Sequence, residues 1–161
     1  MGDDIMRIRQ MTIQDDQAVA DLVRSSLSHF GLDIPGTAYF DPQLDHLFEF
    51  YQQEQSGYFV LVDDNNHAVG GCGFAEYDGP VAELQKLYIS PVAQGHGASR
   101  QLVVRAESAA RAAGFQQMYL ETHHSLTVAC QLYPKLGYQP LPGPLADGPH
   151  TTMDRFFLKS L

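Results

Sequence analysis

The segment from residue 84 to residue 121 constrains the fold of this chain more than any other. An apolar run, Leu84–Ile89, is followed by a glycine-containing loop, Gln94–Ser99, and then by apolar residues at helical spacing as far as Ala113. Another apolar run, Gln116–Glu121, follows directly. A strand, a helix and a strand in this order predict two parallel strands joined by a right-handed crossover.

The remaining patterns predict a mixed sheet that is mainly antiparallel around this parallel unit. Alternating or continuous apolar runs predict strands, and apolar residues at helical spacing predict helices. The strands are predicted over Met6–Gln10, Tyr58–Val62, Ala68–Ala75, Tyr138–Leu141 and Thr151–Leu158, and further helices over about 12–30, 41–51 and 125–136. A chain of 161 residues is long enough for a single domain, 1–161, with its own core. We therefore expect an α/β fold with helices on both faces of the sheet.

Three finer features are predicted from single residues. Asp41 is expected to cap a helix that Pro42 begins, because aspartate and proline favour these two positions. Glu107 is expected on the exposed face of the helix that follows the glycine loop. The glycines at positions 70, 71 and 73 weaken their strand, which predicts a bulge or the close approach of another backbone.

The glycine loop has the properties of an anion-binding site. A turn between a strand and a helix leaves backbone N–H groups without partners, and the helix dipole adds positive charge there. The loop lacks the Gly-Lys-Ser/Thr ending of nucleotide-hydrolysing enzymes, and Arg100 occupies the third glycine position of a dinucleotide fingerprint. Its spacing is Gln94-x-x-Gly97-x-Ser99. Taken alone, the loop is equally compatible with an ordinary strand-to-helix turn.

This spacing resembles the coenzyme A loop of the GCN5-related N-acetyltransferase (GNAT) family, and two flanking segments extend the resemblance. The strand before the loop reads Glu-Leu-Gln-Lys-Leu-Tyr from Glu83, and the segment from Ala129 to Tyr138 resembles the family's Ala-x-x-Leu-Tyr-x-Lys-Leu-Gly-Phe. The resemblance implies the GNAT mixed sheet with a central βαβ unit. It also implies that the strand bearing Glu83 is bulged and splays from its parallel neighbour.

The resemblance further implies which residues hold acetyl-CoA, the expected co-substrate. The backbone of the bulged strand is expected to pair with the pantetheine arm, and the N–H of Leu87 to face the thioester carbonyl. The N–H groups of the glycine loop are expected to hold the pyrophosphate. The implied coenzyme residues are Leu87, Tyr88, Ile89, Gln94, Gly95, His96, Gly97, Ala98, Ser99 and Arg100.

Two side chains are the candidate catalytic residues. Glu83 is the expected general base, because burial of a carboxylate in a cleft raises its pKa towards neutrality; a strand-end carboxylate without a catalytic role is the alternative. Tyr133 matches the family tyrosine whose hydroxyl lies near the coenzyme sulfur, so it is the expected acid. Pro134, Leu126 and Ser99 depart from the family pattern, and Pro134 could bend the helix and move the tyrosine hydroxyl.

The acceptor side is predicted from position in the chain. Glu121, His123 and His124 follow the end of the fifth strand, where an acceptor should enter, and Tyr39 lies in the loop between the first two helices. On an extended chain the two adjacent histidines should face opposite ways, so at most one should point into the cleft.

Composition excludes several classes of partner. The net charge of −9 argues against nucleic acid or an anionic membrane, although it suits a cationic substrate as well as mere solubility. The two cysteines, Cys72 and Cys130, form no metal-binding spacing, and no His/Asp/Glu spacing predicts a metal. The start of the chain lacks a secretion signal, and no apolar run approaches the roughly 20 residues of a membrane span, so the cytoplasm is the expected location.

The sequence therefore predicts an acetyl-CoA-dependent N-acetyltransferase that acts by direct transfer on a small-molecule or amino-acid-like amine. Two alternatives stay open. One is an acyl-CoA-binding sensor or interaction module with little transfer, and the other is an O-acetyltransferase using the same site. A homodimer is the implied assembly, because dimers are frequent in the family and are the commonest oligomer in general.

Overall fold

The computed structural model describes residues 6–161, and the start of the chain, on which the expectation about a secretion signal rests, lies outside them. Within the described residues the chain forms seven strands and four α-helices. The strands are β1 Arg7–Gln10, β2 Gly57–Val62, β3 Ala68–Asp78, β4 Val81–Ile89, β5 Gln117–Thr122, β6 Gln139–Leu141 and β7 Arg155–Ser160. The helices are α1 Asp16–His29, α2 Leu47–Phe50, α3 Ala98–Ala112 and α4 Thr127–Lys135. None of the helices in residues 6–161 is both long and apolar enough to cross a bilayer.

All seven strands form one sheet in the order β1-β2-β3-β4-β5-β7-β6. Only β4 and β5 are parallel, and α3 connects them, as the predicted βαβ unit requires. Every other neighbouring pair of strands is antiparallel. The predicted mixed α/β sheet is therefore confirmed.

The core lies in two layers, one on each face of the sheet. Alternation along β2 shows the division, because Phe59 and Leu61 pack into one apolar cluster while Tyr58, Val60 and Val62 pack into the other. The first cluster includes the apolar face of α3, and the second includes that of α1. Helices thus cover both faces, as expected.

The glycines of β3 make room for the side chain of Tyr58. A Cβ added at Gly71 or Gly73 would lie within 2.4 Å or 2.6 Å of the Tyr58 ring or its hydroxyl. The hydroxyl of Tyr58 donates a hydrogen bond of 2.8 Å to the carbonyl of Lys86 on β4. The predicted close approach is therefore confirmed: the Tyr58 side chain approaches both glycines, and the backbone carbonyl of Gly57 lies 2.8 Å from the Cβ position of Gly73.

Several finer expectations are wrong. The carboxylate of Asp41 caps no helix, and the segment after Pro42 forms only a short 3-10 turn and the single-turn helix α2. Glu107 was expected to be exposed but is buried, and its carboxylate accepts hydrogen bonds of 2.9 Å from both Tyr138 and Lys159. The last strand begins four residues later than predicted, because residues 151 to 154 form a turn with contacts to other loops.

Candidate active site

A cleft opens between β4 and β5 because these strands pair over only three residues. Val81, Ala82 and Glu83 pair with residues 117 to 119, and beyond Glu83 the two strands separate. Lys86 has a φ of +52°, and β4 supplies two residues, Lys86 and Leu87, opposite Cys72 of β3. This is a β-bulge, which bends β4 away from its neighbour. The bulge and the splay implied by the family resemblance are both confirmed.

Residues from both strands, from α1 and α4, and from three loops line this cleft. They are Leu27, Ala38, Glu83, Leu84, Gln85, Lys86, Leu87, Tyr88, Glu121, Thr122, Leu126, Ala129, Tyr133, His150 and Met153. The cleft therefore brings together both candidate catalytic residues, two of the implied coenzyme residues on β4, and the candidate acceptor residue Glu121.

Glu83 lies where β4 and β5 begin to separate. Burial raises the pKa of its carboxyl group, and the nearby Glu121 raises it further, against a hydrogen bond that favours the ionised form. That hydrogen bond, 2.7 Å long, comes from the amide of Gln85, whose oxygen in turn accepts one of 2.7 Å from the hydroxyl of Tyr51. The carboxylate is thus held in a fixed position with a pKa above its ordinary value, which suits a general base.

A group of three charged or polar side chains, of which Lys86 and Asp41 are buried, lies next to Glu83. Lys86 Nζ lies 2.7 Å from one oxygen of Asp41, and His150 Nε2 lies 2.8 Å from the other. Burial alone would raise the pKa of Asp41, but the hydrogen bonds to His150 and Lys86 outweigh it and hold the pKa below its ordinary value. These contacts join the bulge of β4 to the loop before α2 and to the loop before β7.

Tyr133 lies in α4 and lines the opposite side of the cleft. Its ring is buried against Tyr138 and Phe157, and among the described residues its hydroxyl has no hydrogen-bond partner. Burial raises its pKa, so the hydroxyl carries its proton at neutral pH. Pro134 is the penultimate residue of α4, and the backbone N–H of Leu136 still bonds the carbonyl of Leu132. The proline therefore does not remove Tyr133 from the cleft.

The glycine loop ends at α3 with backbone N–H groups available to a ligand. Gly95 and Gly97 have φ values of +85° and +71°, and Gly97 is the residue that precedes the helix. The first backbone bond of the helix runs from Gln101 to the carbonyl of Gly97, 3.2 Å away. Within residues 6–161, no acceptor bonds the N–H groups of residues 95 to 100. The side chains of Gln94 and Arg100 are exposed, and Gln94 Nε2 donates to the carbonyl of Ile89 at 3.1 Å.

The structure separates the four candidate acceptor residues. Glu121 lines the cleft, whereas His123, His124 and Tyr39 are absent from its lining. Tyr39 packs beside Phe40 and against the α1 side of the core. The two histidine rings stack with centroids 4.2 Å apart, so the expectation that they face opposite ways is wrong. The strand ends at Thr122, and the chain turns there instead of continuing the alternation.

Both histidines lie beside Asp154, which comes from the loop before β7. His124 Nδ1 is hydrogen-bonded to the Asp154 carboxylate, and His123 Nε2 lies 3.8 Å from it. The second ring nitrogen of His123 lies 2.7 Å from the hydroxyl of Ser125. The donor atoms of His123, His124 and Asp154 all lie within 4.8 Å of one another, a grouping of metal-ligand side chains that the sequence spacing did not predict. It stands beside the cleft rather than in it.

Sequence reasoning missed Lys86, Asp41 and Gln85 as residues of the site. Asp41 and Lys86 are 45 positions apart, and Asp41 and His150 are 109 apart, so no local pattern links them. The only sequence feature that pointed to Lys86 as a site residue is its position on the same strand between the candidate base Glu83 and the implied coenzyme residue Leu87.

The similarity of this chain to known proteins indicates its family. The acetyltransferase (GNAT) family matches residues 23–138. An uncharacterized N-acetyltransferase of Escherichia coli K12, YjgM, is 37% identical over 136 residues, which cover 82% of this chain and 81% of that protein.

Solved structures show the same fold. A GNAT-family acetyltransferase from Staphylococcus aureus Mu50 has a TM-score of 0.87 at 14% identity and covers 97% of this chain and 99% of its own. A GNAT phosphinothricin acetyltransferase from Sinorhizobium meliloti, solved in complex with acetyl-CoA, has a TM-score of 0.76 at 19% identity, covering 97% and 88%. The chain described here therefore belongs to the acetyltransferase (GNAT) family of acyltransferases.

Proposed function

We propose that this protein is an acetyl-CoA-dependent N-acetyltransferase that transfers the acetyl group directly to the amine of a small-molecule or amino-acid-like acceptor. The observation that carries the proposal is the cleft between β4 and β5, which Glu83 and Tyr133 both line. One is a carboxylate with a raised pKa, and the other is a hydroxyl on a buried ring, without a hydrogen-bond partner among the described residues. A base and an acid in one cleft are what acyl transfer between an amine and a thioester requires.

Glu83 prepares the acceptor. An ammonium has no lone pair, so it must lose a proton before it attacks a carbonyl carbon. Glu83 accepts this proton, directly or through a water molecule, and its raised pKa makes the transfer effective near neutral pH. The hydrogen bond from Gln85 keeps the carboxylate in one orientation.

The remaining groups act on the thioester. The nitrogen–carbon bond forms and the carbon–sulfur bond breaks, and the N–H of Leu87 in the bulge stabilises the negative charge that builds on the carbonyl oxygen. Tyr133 gives its proton to the departing sulfur and regains one when the attacking nitrogen loses its second proton to become an amide. The pantetheine arm lies along β4 between Leu87 and Ile89, where β4 makes no backbone hydrogen bonds to β5. The pyrophosphate lies on the N–H groups of residues 95 to 99, because the N–H of Gln94 already bonds the carbonyl of Pro91.

Two alternatives give different experimental results. An O-acetyltransferase would form an ester, which hydroxylamine cleaves, whereas an amide resists it. A binding module would take up acetyl-CoA without releasing thiol in the presence of any acceptor. Glu83 would act as the base for either acceptor, so the stability of the product towards hydroxylamine distinguishes the two. We further propose that the enzyme is cytoplasmic and that it forms a homodimer. Sedimentation of the purified protein tests the homodimer.

Replacement of Tyr133 by phenylalanine is expected to lower kcat about tenfold and to leave the KM for acetyl-CoA unchanged. The effect is smaller than a typical general-acid effect because a thiol, with a pKa near 8.5, leaves readily without a proton. Steady-state rates of thiol release measure it. Tyr138→Phe is the control, because Tyr138 is also buried but its hydroxyl bonds Glu107 and does not line the cleft. An unchanged kcat in Tyr133→Phe would remove this tyrosine from the mechanism.

Replacement of Gly97 by alanine is expected to weaken acetyl-CoA binding about fivefold to tenfold. An alanine resists a φ of +71° by about 1–2 kcal/mol, so the loop relaxes and its N–H groups turn away from the pyrophosphate. Isothermal titration calorimetry with acetyl-CoA measures the change. Gly31→Ala is a matched control, since Gly31 also has a φ of +71° and open space around its Cβ position but lies far along the chain from the loop. Equal affinities in both variants would mean that the loop does not bind the pyrophosphate.

A further inference from the structure

The acceptor half of the cleft is defined by one face of the sheet. Glu83 pairs beside Tyr119 in the parallel ladder, and Glu121 follows two residues later, so the three side chains lie on the same face. Tyr119 donates a hydrogen bond of 2.7 Å to one oxygen of Glu121, and it also receives the N–H of Leu145 at 3.4 Å. The loop that ends in His150 therefore closes over two carboxylates, Glu83 and Glu121.

The basic side chains that line this cleft are already hydrogen-bonded to Asp41. Lys86 and His150 are the only basic residues among those that line it, and each is hydrogen-bonded to a different oxygen of Asp41. Within the described part of the chain, no basic side chain lies within salt-bridge distance of Glu121 or Glu83. A carboxylate on the acceptor would therefore find no unengaged cation, and it would meet two like charges.

A cation on the acceptor would find a complementary surface. One oxygen of Glu121 is bonded to Tyr119, and the carboxylate has no bond to a cation, so it can accept further hydrogen bonds from an ammonium group. A second feature also indicates that a ligand enters here, because the buried Tyr133 lines the same cleft and its hydroxyl has no hydrogen-bond partner among residues 6–161. The net charge of −9 also attracts cationic molecules towards the protein.

We infer that the acceptor is a di- or polyamine, and that Glu121 binds its second, non-reacting ammonium group while Glu83 faces the reacting one. This inference rests on the proposed N-acetyltransferase function, and it narrows the acceptor from amines and amino-acid-like compounds to amines that carry a second positive charge and no carboxylate. Glu121 is a specificity residue because it touches the substrate away from the reacting atoms.

Three acceptors of the same chain length test the inference with the full-length enzyme and acetyl-CoA. Putrescine, n-butylamine and γ-aminobutyrate differ at the far end, which carries an ammonium, a methyl and a carboxylate respectively. We expect kcat/KM to fall in that order, with at least about tenfold between the first two. Equal values for the three, or a preference for γ-aminobutyrate, would overturn the inference while leaving the N-acetyltransferase function standing. No thiol release with any amine would instead count against the function itself.

The variant Glu121→Gln separates recognition from structure. We expect its KM for putrescine to rise about tenfold and its KM for n-butylamine to stay the same, because only the diamine uses the lost charge. Glu76→Gln, an exposed carboxylate on β3, is the matched control and should change neither value. An equal loss with both amines, or no loss with putrescine, would show that Glu121 does not bind the second ammonium.

The pH profile provides a second readout that a merely structural role would not change. The groups that face Glu83 are Gln85, Lys86, Glu121 and His150, and those that face Glu121 are Tyr119, Tyr77 and Glu83. Because the charge of Glu121 disfavours ionisation of Glu83, its removal should shift the acidic limb of the rate profile for n-butylamine to lower pH. An unshifted limb would mean that the two carboxylates do not share the acceptor half of the cleft.

Discussion

The variant Glu83→Gln is expected to lose about 10³-fold in kcat/KM, because an amide cannot accept the proton of the acceptor ammonium. In the parent enzyme, kcat/KM should rise with pH as Glu83 ionises, and the midpoint should lie above the ordinary glutamate pKa because burial raises it. This acidic limb should disappear in the variant. Initial rates of thiol release across the pH range measure both effects.

Loss of structure would not explain this result. A buried carboxylate with a raised pKa binds its proton more tightly in the folded than in the unfolded state, so its contribution to stability falls as pH rises between the unfolded and folded pKa values. Glu83→Gln should therefore be at least as stable as the parent protein at neutral pH. Glu76→Gln on the exposed part of β3 is the control for activity. A Glu83→Gln enzyme with full activity and an unchanged profile would require a different base.

The variant Lys86→Met is expected to lower the free energy of unfolding by about 3 kcal/mol, because it leaves Asp41 buried with only His150 as a partner. Urea denaturation at neutral pH measures this loss. The matched control is Arg24→Met, which breaks an ion pair of nearly the same length, 2.8 Å, on the surface. The side chains of Lys86 and Asp41 are 4% and 7% exposed, against 33% and 58% for Arg24 and Asp45, so the control should lose no more than about 1 kcal/mol.

The same pair gives a pH dependence with a definite sign. The pKa of Asp41 is held below its ordinary value, so its ion pairing contributes stability above the unfolded pKa and loses it as pH falls through the folded pKa. The difference between Lys86→Met and the parent protein should therefore shrink in acid. Equal losses in the buried and the exposed variants, or a difference that grows in acid, would contradict the assignment of a buried, ionised Asp41.

Local patterns were enough to predict the centre of this fold. The parallel unit from Leu84 to Glu121 was predicted correctly because apolar periodicity and glycine turns act over a few residues. Patterns failed where a long-range contact outweighed a local preference. Aspartate before a proline favours a helix cap, yet the Asp41 carboxylate is bound by Lys86 and His150 instead. Glu107 lies on the polar side of a helical pattern, yet hydrogen bonds from Tyr138 and Lys159 hold it in a buried position.

The sequence by itself determined the order of the elements, the glycine loop before α3 and the positions of Glu83 and Tyr133 in the chain, because each depends on neighbouring residues. Only the tertiary structure decided that Glu83, Glu121 and Tyr133 line one cleft and that His123 and His124 lie outside it. It also decided that Asp41 binds the two basic side chains of the cleft, Lys86 and His150. The physical reason is the separation of β4 from β5. That separation depends on the bulge at Lys86 and on the bond from Tyr58 to its carbonyl, and this contact joins residues 28 positions apart.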